Sequence, residues 1–250
     1  MIILQSSELV FKEIVPMNRP QPRPGPSAAA AVITGDIINS SKLSPGEWEK
    51  LHAVMNETSG QLRALFKNVV PLDVDIFRGD SWQMLVLDPP KSLRISLLYR
   101  GLVRAKMDLP GVDMRMAIAV GRIDSFPKTR VSHGRGEAFQ LSGQALDSLH
   151  RAKCGNMSFI GGRADEAAAL DTVVQLIDAI AGRWTVKQAL AVSGALKGMR
   201  QEEIADKSWQ KKITQQAVAQ HLRRAGWYAV ERGVVFFEDR LRQLMEPVSA

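Results

Sequence analysis

The stretch Ala31-Val32-Ile33-Thr34-Gly35-Asp36-Ile37-Ile38-Asn39-Ser40 decides the fold. Its apolar run reaches Asp36 and then leaves the core through small polar residues. That pattern predicts a short buried strand with a carboxylate at the rim of a sheet, where a cation or phosphate can reach it. An Asp in such a place also serves as a turn former or helix cap. A second stretch bears on the choice. Ile76-Phe77-Arg78-Gly79-Asp80-Ser81-Trp82-Gln83-Met84-Leu85-Val86 reads as two strands joined by a tight turn at Gly79-Asp80. Gly supplies a positive φ there, and Asp tolerates one. With that hairpin beside the first strand, Asp36 and Asp80 converge. Two carboxylates at one rim repel each other, and a divalent cation, Mg²⁺ or Mn²⁺, relieves the repulsion.

Between these stretches, Ser44-Pro45-Gly46-Glu47 carries every signal of a helix start. Ser caps, Pro takes the first helical position, and Glu three residues after Ser closes a capping box. Trp48, Leu51, Met55, Leu62, Leu65 and Phe66 follow at helical spacing. Pro89 and Pro90 open a second helix with Leu93, Leu97, Leu98, Leu102 and Ala105 inward. Asp113–Gly121 reads as a central, mostly apolar strand. Residues 122–136 form a basic loop, Glu137–Arg151 a third helix, and Met157–Ile160 a last strand. The order β-α-β-β-α-β, with an added helix and strand, predicts an α+β domain over 31–163. Its sheet is a ferredoxin-like split βαβ with helices on one face.

The flanks differ in composition. In the arm 1–30, Leu9 to Val15 reads as an irregular strand. Pro20, Pro22, Pro24 and Pro26 make Asn18–Pro26 a polyproline spacer. Asp165–Ala181 is an acidic amphipathic helix, and residues 164–183 are expected to connect two domains. From 184 to 250 the pattern is helical and short-looped, with helices over Val186–Leu196, Gln201–Asp206 and Gln215–Arg224. Trp227–Val230 and Val234–Phe237, hinged at Arg232-Gly233, then read as a hairpin. Three helices and a hairpin are a winged helix-turn-helix arrangement.

Length and composition set outer limits. The 250 residues suffice for one large domain or two small ones. A net charge of +7 favours polyanionic partners. The single cysteine, Cys154, excludes an intrachain disulfide and a Cys-rich zinc site. No apolar run approaches the ~20 residues that span a bilayer, and no basic start followed by an apolar core marks a secretory signal. The expectation is a cytoplasmic protein with no membrane partner.

Four blocks together resemble the SatD family: Ile33–Ser40, Arg78-Gly79-Asp80, Arg115–Gly121 and Ala138–Asp147. They are also distantly similar to class III nucleotidyl cyclases. The resemblance covers about residues 31–163 and implies a palm-type fold. It further implies that Asp36-Ile37 and the hairpin Asp80 hold metal beside a purine nucleotide. The departures matter as much. Where the cyclases carry Asn and Arg on the helix after the fourth strand, this chain has Gln140 and Gln144. A neutral amide cannot replace the permanently charged fork of an arginine. The base-reading Lys falls on Ile76.

Other candidates follow from position. Asn39 and Ser40 lie where backbone or hydroxyl groups meet a triphosphate at the next helix's start. Arg78, Arg115, Arg122 and Arg135 flank the same rim or its loop and are candidates to neutralise phosphates. In the C-terminal part, Lys211, Lys212, Arg223 and Arg224 surround the presumed recognition helix, where DNA phosphates would lie. Thr214, Gln215, Gln216 and Gln220 lie on that helix or at its start, and a glutamine amide pairs bidentately with adenine. The composite expectation is a homodimeric regulator of transcription that binds double-stranded DNA and senses a nucleotide with its metal. Two alternatives stand beside it: a nucleotidyl cyclase or other nucleotidyltransferase using Asp36 and Asp80, and a degenerate palm that serves only as a dimerisation scaffold.

Overall fold

The computed structural model describes residues 29–246, save 78, 110, 153, 154 and 210. The expected strand at Leu9–Val15, the polyproline spacer, Arg78 and Cys154 lie outside the described residues. Five strands form one sheet: β1 (Ala29–Ile38), β2 (Asp75–Phe77), β3 (Ser81–Val86), β4 (Asp113–Arg122) and β5 (Met157–Ile160). Their order is β2-β3-β1-β4-β5. The first four run antiparallel, the ferredoxin-like order, and β5 joins β4 in parallel.

The helices α1 (Pro45–Leu65), α2 (Ser92–Met107) and α3 (Glu137–Ala152) fall where the periodicity predicts. The capping box at Ser44 and Glu47 is formed. The strand alternation sorts the sheet into two faces. Ala31, Ile33 and Ile37 of β1 share a core with Met114, Met116 and Ile118 of β4 and with α1 and α2. Gly35 lies on that face too, because the Trp82 indole crosses it. A Cβ at Gly35 would stand 2.5 Å from the ring and 2.6 Å from the Arg115 carbonyl oxygen.

Here the structure corrects the expectation of helices on one face alone. Only α1 and α2 share a face. The other, carrying Ala30, Val32 and Ala117, is covered by α3 through Ala138, Leu146 and Leu149. The crossover from β4 to a parallel β5 forces this. A right-handed βαβ connection carries its helix over the face that the split βαβ leaves open.

The C-terminal part also departs from the sequence reading. Helices α5 (Val186–Leu196), α6 (Gln201–Lys207) and α7 (Gln215–Arg224) are present, preceded by α4 (Ala164–Ala181). The expected hairpin is absent: residues Trp227–Met245 are one continuous helix, α8. Trp227, Val230, Val234, Phe237 and Leu241 are its buried residues, a helical spacing that outweighs the Arg-Gly turn signal. Gly233 belongs inside α8 because a Cβ there would meet Ile177 of α4 at 2.8 Å. The recognition-helix candidate α7 is therefore followed by a long helix and not by a wing.

A buried ion cluster fastens the sheet to these helices. Arg100 of α2, 1% exposed, grips both oxygens of Asp113 at 2.7 and 2.6 Å and one oxygen of Asp178 on α4 at 2.6 Å. Arg104 adds bonds to the Ala181 and Gly182 carbonyl oxygens.

Candidate functional site

Asp36 ends the buried part of β1 on the α3 face and is itself 6% exposed. Register places Arg115 of β4 directly across from it. The Arg115 guanidinium donates to Asp36 Oδ1 at 3.1 Å. His150, in the last turn of α3, brings Nε2 to 2.8 Å from Asp36 Oδ2. Arg115 also donates to His150 Nδ1 at 2.8 Å. An arginine only donates, so Nδ1 accepts and Nε2 carries the proton toward Asp36. The three side chains close a triangle at the rim. Deeper on the same face, the Thr34 and Ser142 hydroxyls lie 2.7 Å apart, and Gln83 donates to Thr34 at 3.1 Å.

The hairpin that carries Asp80 forms as the sequence predicts. The antiparallel hairpin turns at Gly79, φ +82°, beside the end of β1. Ser40 donates its hydroxyl to Asp80 Oδ2 at 2.5 Å. Asn39 adopts a left-handed conformation, φ 60°, and donates its side-chain amide to the Gly111 carbonyl oxygen. Burial raises the Asp36 pKa above the usual carboxylate range. Arg115 and His150 pull it down, and the nearby Asp80 charge raises it again. Asp80 is thus close enough for its charge to act on Asp36.

Several expected partners do not join them. Asp36 pairs with the start of β4, whereas Arg122 ends that strand. Seven residues of strand separate Arg115 from Arg122, about 24 Å at ~3.4 Å each. Arg122 and Arg135 therefore belong to the opposite end of the sheet. The basic loop there is fastened rather than free to close. Arg130 and Ser132 both donate to Asp75, and Val131 is buried. Gln140 and Gln144 are exposed, off the stripe Ala138, Ser142, Leu146 and Leu149 that faces the sheet. Neither comes to the rim, and His150 does. The sequence reading missed His150, although it continues the stripe Ala138, Ser142, Leu146 in steps of four.

The donor set limits what the rim can hold. Among the described residues, no group of three or more His, Cys, Asp or Glu side chains is placed to bind a metal ion. Asp36 is already met by two nitrogen donors. Two carboxylates fit the manner in which Mg²⁺ is held together with substrate phosphates, not a site for a resident ion.

A second candidate surface lies on α7. Val218 and Leu222 are buried, while Gln215, Gln216, Gln220, Arg223 and Arg224 are exposed. Thr214 is spent as the cap, its hydroxyl accepting from the Ala217 amide at 3.2 Å. Lys211 and Lys212 are exposed in the turn before α7, and Lys212 pairs with Asp206 at 2.7 Å. Trp209 stacks on His221 at 5.3 Å and joins that turn to α7. Gly194 of α5 lets α6 close in, since a Cβ there would meet Ile204 at 2.7 Å.

No family model matches the chain. No curated protein matches it either. Among solved structures it is similar to a bacterial light-regulated adenylyl cyclase, at 16% identity and TM-score 0.39 over 56% of this chain. It is similar to the guanylyl cyclase Cya2 at 16% identity and TM-score 0.35 over 50% of this chain and 72% of that one. It is also similar to a class III adenylyl cyclase-like ATP-binding protein from Pseudomonas aeruginosa, at 13% identity and TM-score 0.37 over 57% of this chain and 35% of that one. The chain spans 45% of the length of the light-regulated cyclase. At these values the likeness is distant.

Proposed function

We propose that the protein is a DNA-binding regulator, with α6 and α7 as its helix-turn-helix and the sheet domain as a sensor of a purine nucleotide. The observation that carries the reading is the division of α7. Its Val218 and Leu222 side chains are buried, and its outer face offers three glutamines and two arginines next to Lys211 and Lys212. In helix-turn-helix docking the N-terminal residues of the second helix meet base edges and flanking cations meet phosphates. Gln215 and Gln216 open α7 and Gln220 follows one turn later, a position suited to adenine edges.

The sensor half of the reading rests on Asp36 and Asp80 sharing one rim. These carboxylates would hold Mg²⁺ or Mn²⁺ that arrives with the nucleotide and would supply positive charge for its phosphates. Asn39 and Ser40 would face the same phosphates, and Arg115 would move from Asp36 to an anionic oxygen.

Binding to a mixed-sequence duplex as a function of salt tests the DNA reading. Phosphate contacts give log K a slope of about −0.9 per contact against log salt. Replacing Lys211, Lys212, Arg223 and Arg224 with alanine is expected to weaken binding to every duplex and to flatten that slope by up to ~4 units. No affinity of the unmodified protein for any duplex at low salt overturns it.

A further inference from the structure

The start of α5 meets the end of α7 beside the glutamine face. The Trp184 indole, just before α5, donates to the Ala225 carbonyl oxygen at the end of α7, at 2.8 Å. That bond draws the two ends together, so that Gln188 and Arg224 line a common groove. Lys187 is exposed at the second position of α5. His221 and Arg224 stand three residues apart on α7, on neighbouring turns of one side. Gln216, Gln220 and Arg224 form the outward column of that helix, and His221 flanks it.

The His221 ring is half-buried and stacks on Trp209, with centroids 5.3 Å apart and planes at 27°. An aromatic face favours the imidazolium form. Burial opposes it, and so do the charges of Lys187 and Arg224, which leaves the His221 pKa below its ordinary value. Neither α5 nor α7 carries an acid. On α6, Glu203 pairs with Arg200 and Lys207, Asp206 pairs with Lys212, and Glu202 is exposed in the first turn. Glu231 of α8 feels the Arg94 charge instead. Among the described residues, the charges acting on His221 are thus cationic alone. Three nitrogen groups that repel one another at a surface are ready partners for an anion.

We propose that Lys187, His221 and Arg224 seat one backbone phosphate of bound DNA, and that His221 takes up a proton as the phosphate enters. The proposal rests on the DNA reading above and extends it to α5 and to a dependence on pH. Phosphate contacts of this kind fix the register of a recognition helix on the duplex. A phosphate among the three groups replaces repulsion by attraction, and the Trp209 face then supports the charged ring. Linkage is reciprocal, so a proton taken up on binding means that acid strengthens binding. One proton gives at most about a tenfold gain per pH unit, between the free His221 pKa and its higher bound value.

Binding of the full chain to a mixed-sequence duplex at constant salt, from about pH 8 to about pH 5.5, tests it. The natural chain is expected to bind more tightly toward acid, and His221→Gln to flatten that profile. The His221 ring signal, identified by its loss in His221→Gln, is expected by NMR to titrate at higher pH with the duplex than without it. Lys187→Ala, at an exposed position, is expected to lower the salt slope by about 0.9, the share of one phosphate contact. Three results overturn the proposal while leaving the DNA reading in place. They are a profile equally steep in His221→Gln, a ring titration that the duplex does not move, and a salt slope unchanged in Lys187→Ala. No duplex binding by the natural chain at any of these pH values overturns both.

Discussion

His150 Nε2 stands 2.8 Å from Asp36 Oδ2, so the last turn of α3 rests on a carboxylate near the end of β1. The contact does not repay the burial of Asp36, whose pKa is raised chiefly by desolvation despite Arg115 and His150. A buried acid held at such a cost is a candidate for a functional role. The sign can be worked out. A carboxyl with a raised folded pKa favours the folded state below its unfolded value and loses that advantage as pH rises through the folded pKa. Relative to Asp36→Asn, the natural chain is therefore expected to lose stability as pH climbs from below 3.8 toward neutrality. At neutral pH the substitution should cost less than about 1 kcal/mol. Urea unfolding of both proteins across that range checks it, and a relative gain by the natural chain contradicts the assignment.

Asp75 behaves in the opposite sense. Burial raises its pKa, but bonds from the Arg130 side chain and from the Ser132 hydroxyl and amide outweigh this and leave it lowered. Its contribution is present above the unfolded value of 3.8 and is lost as pH falls through the folded pKa. The loop from Ile123 to Gly136 is thus expected to loosen in acid before the sheet does. Hydrogen exchange should show faster amides near Ser132 at low pH, and Asp75→Asn should show them already at neutral pH. Equal protection in variant and natural chain would mean that Asp75 does not hold the loop.

Arg100 is expected to matter strongly to stability. It is 1% exposed and joined to Asp113 and Asp178, which tie α2 to β4 and α4. Arg100→Met leaves the buried Asp178 carboxylate without its cation and Asp113 with Arg104 alone, a loss of about 3–5 kcal/mol. Thermal unfolding checks this. A change under about 1 kcal/mol would show that water or Arg104 replaces Arg100.

Much of this architecture was legible beforehand, and the reasons for the misses are physical. β1 and the hairpin announced themselves by apolar runs ending at Asp36 and turning at Gly79, and both elements formed where those runs placed them. Contacts set by packing could not. Arg122 and Arg135 look close to Arg115 in sequence, but the strand between them carries them to the far end of the sheet. His150 reaches the rim only because α3 crosses the second face, which the parallel pairing of β5 dictates. The lost hairpin at Arg232-Gly233 shows the same competition. Gly233 signals a turn locally, yet it is the residue that lets α8 lie against Ile177.

The last prediction separates a sensor from an enzyme. Cyclisation or nucleotidyl transfer must neutralise charge that builds on a phosphoryl group, and a positioned arginine commonly carries part of that charge. Gln144 brings no charge, and its helix position points it away from the rim. Losing a stabiliser of this kind typically costs ~10²–10³ in rate. Arg115 is the cation at hand, but it already serves Asp36 and His150. Ile76 offers no hydrogen bond to a base edge, so discrimination between ATP and GTP should be poor. Binding of either nucleotide is expected to require Mg²⁺ or Mn²⁺ and to weaken in both Asp36→Ala and Asp80→Ala, with no sustained product formation. Calorimetric titration followed by product analysis over hours provides the check. Multiple turnovers abolished by Asp36→Ala would establish catalysis at this rim, whereas binding that persists without divalent metal would remove the carboxylates from the site.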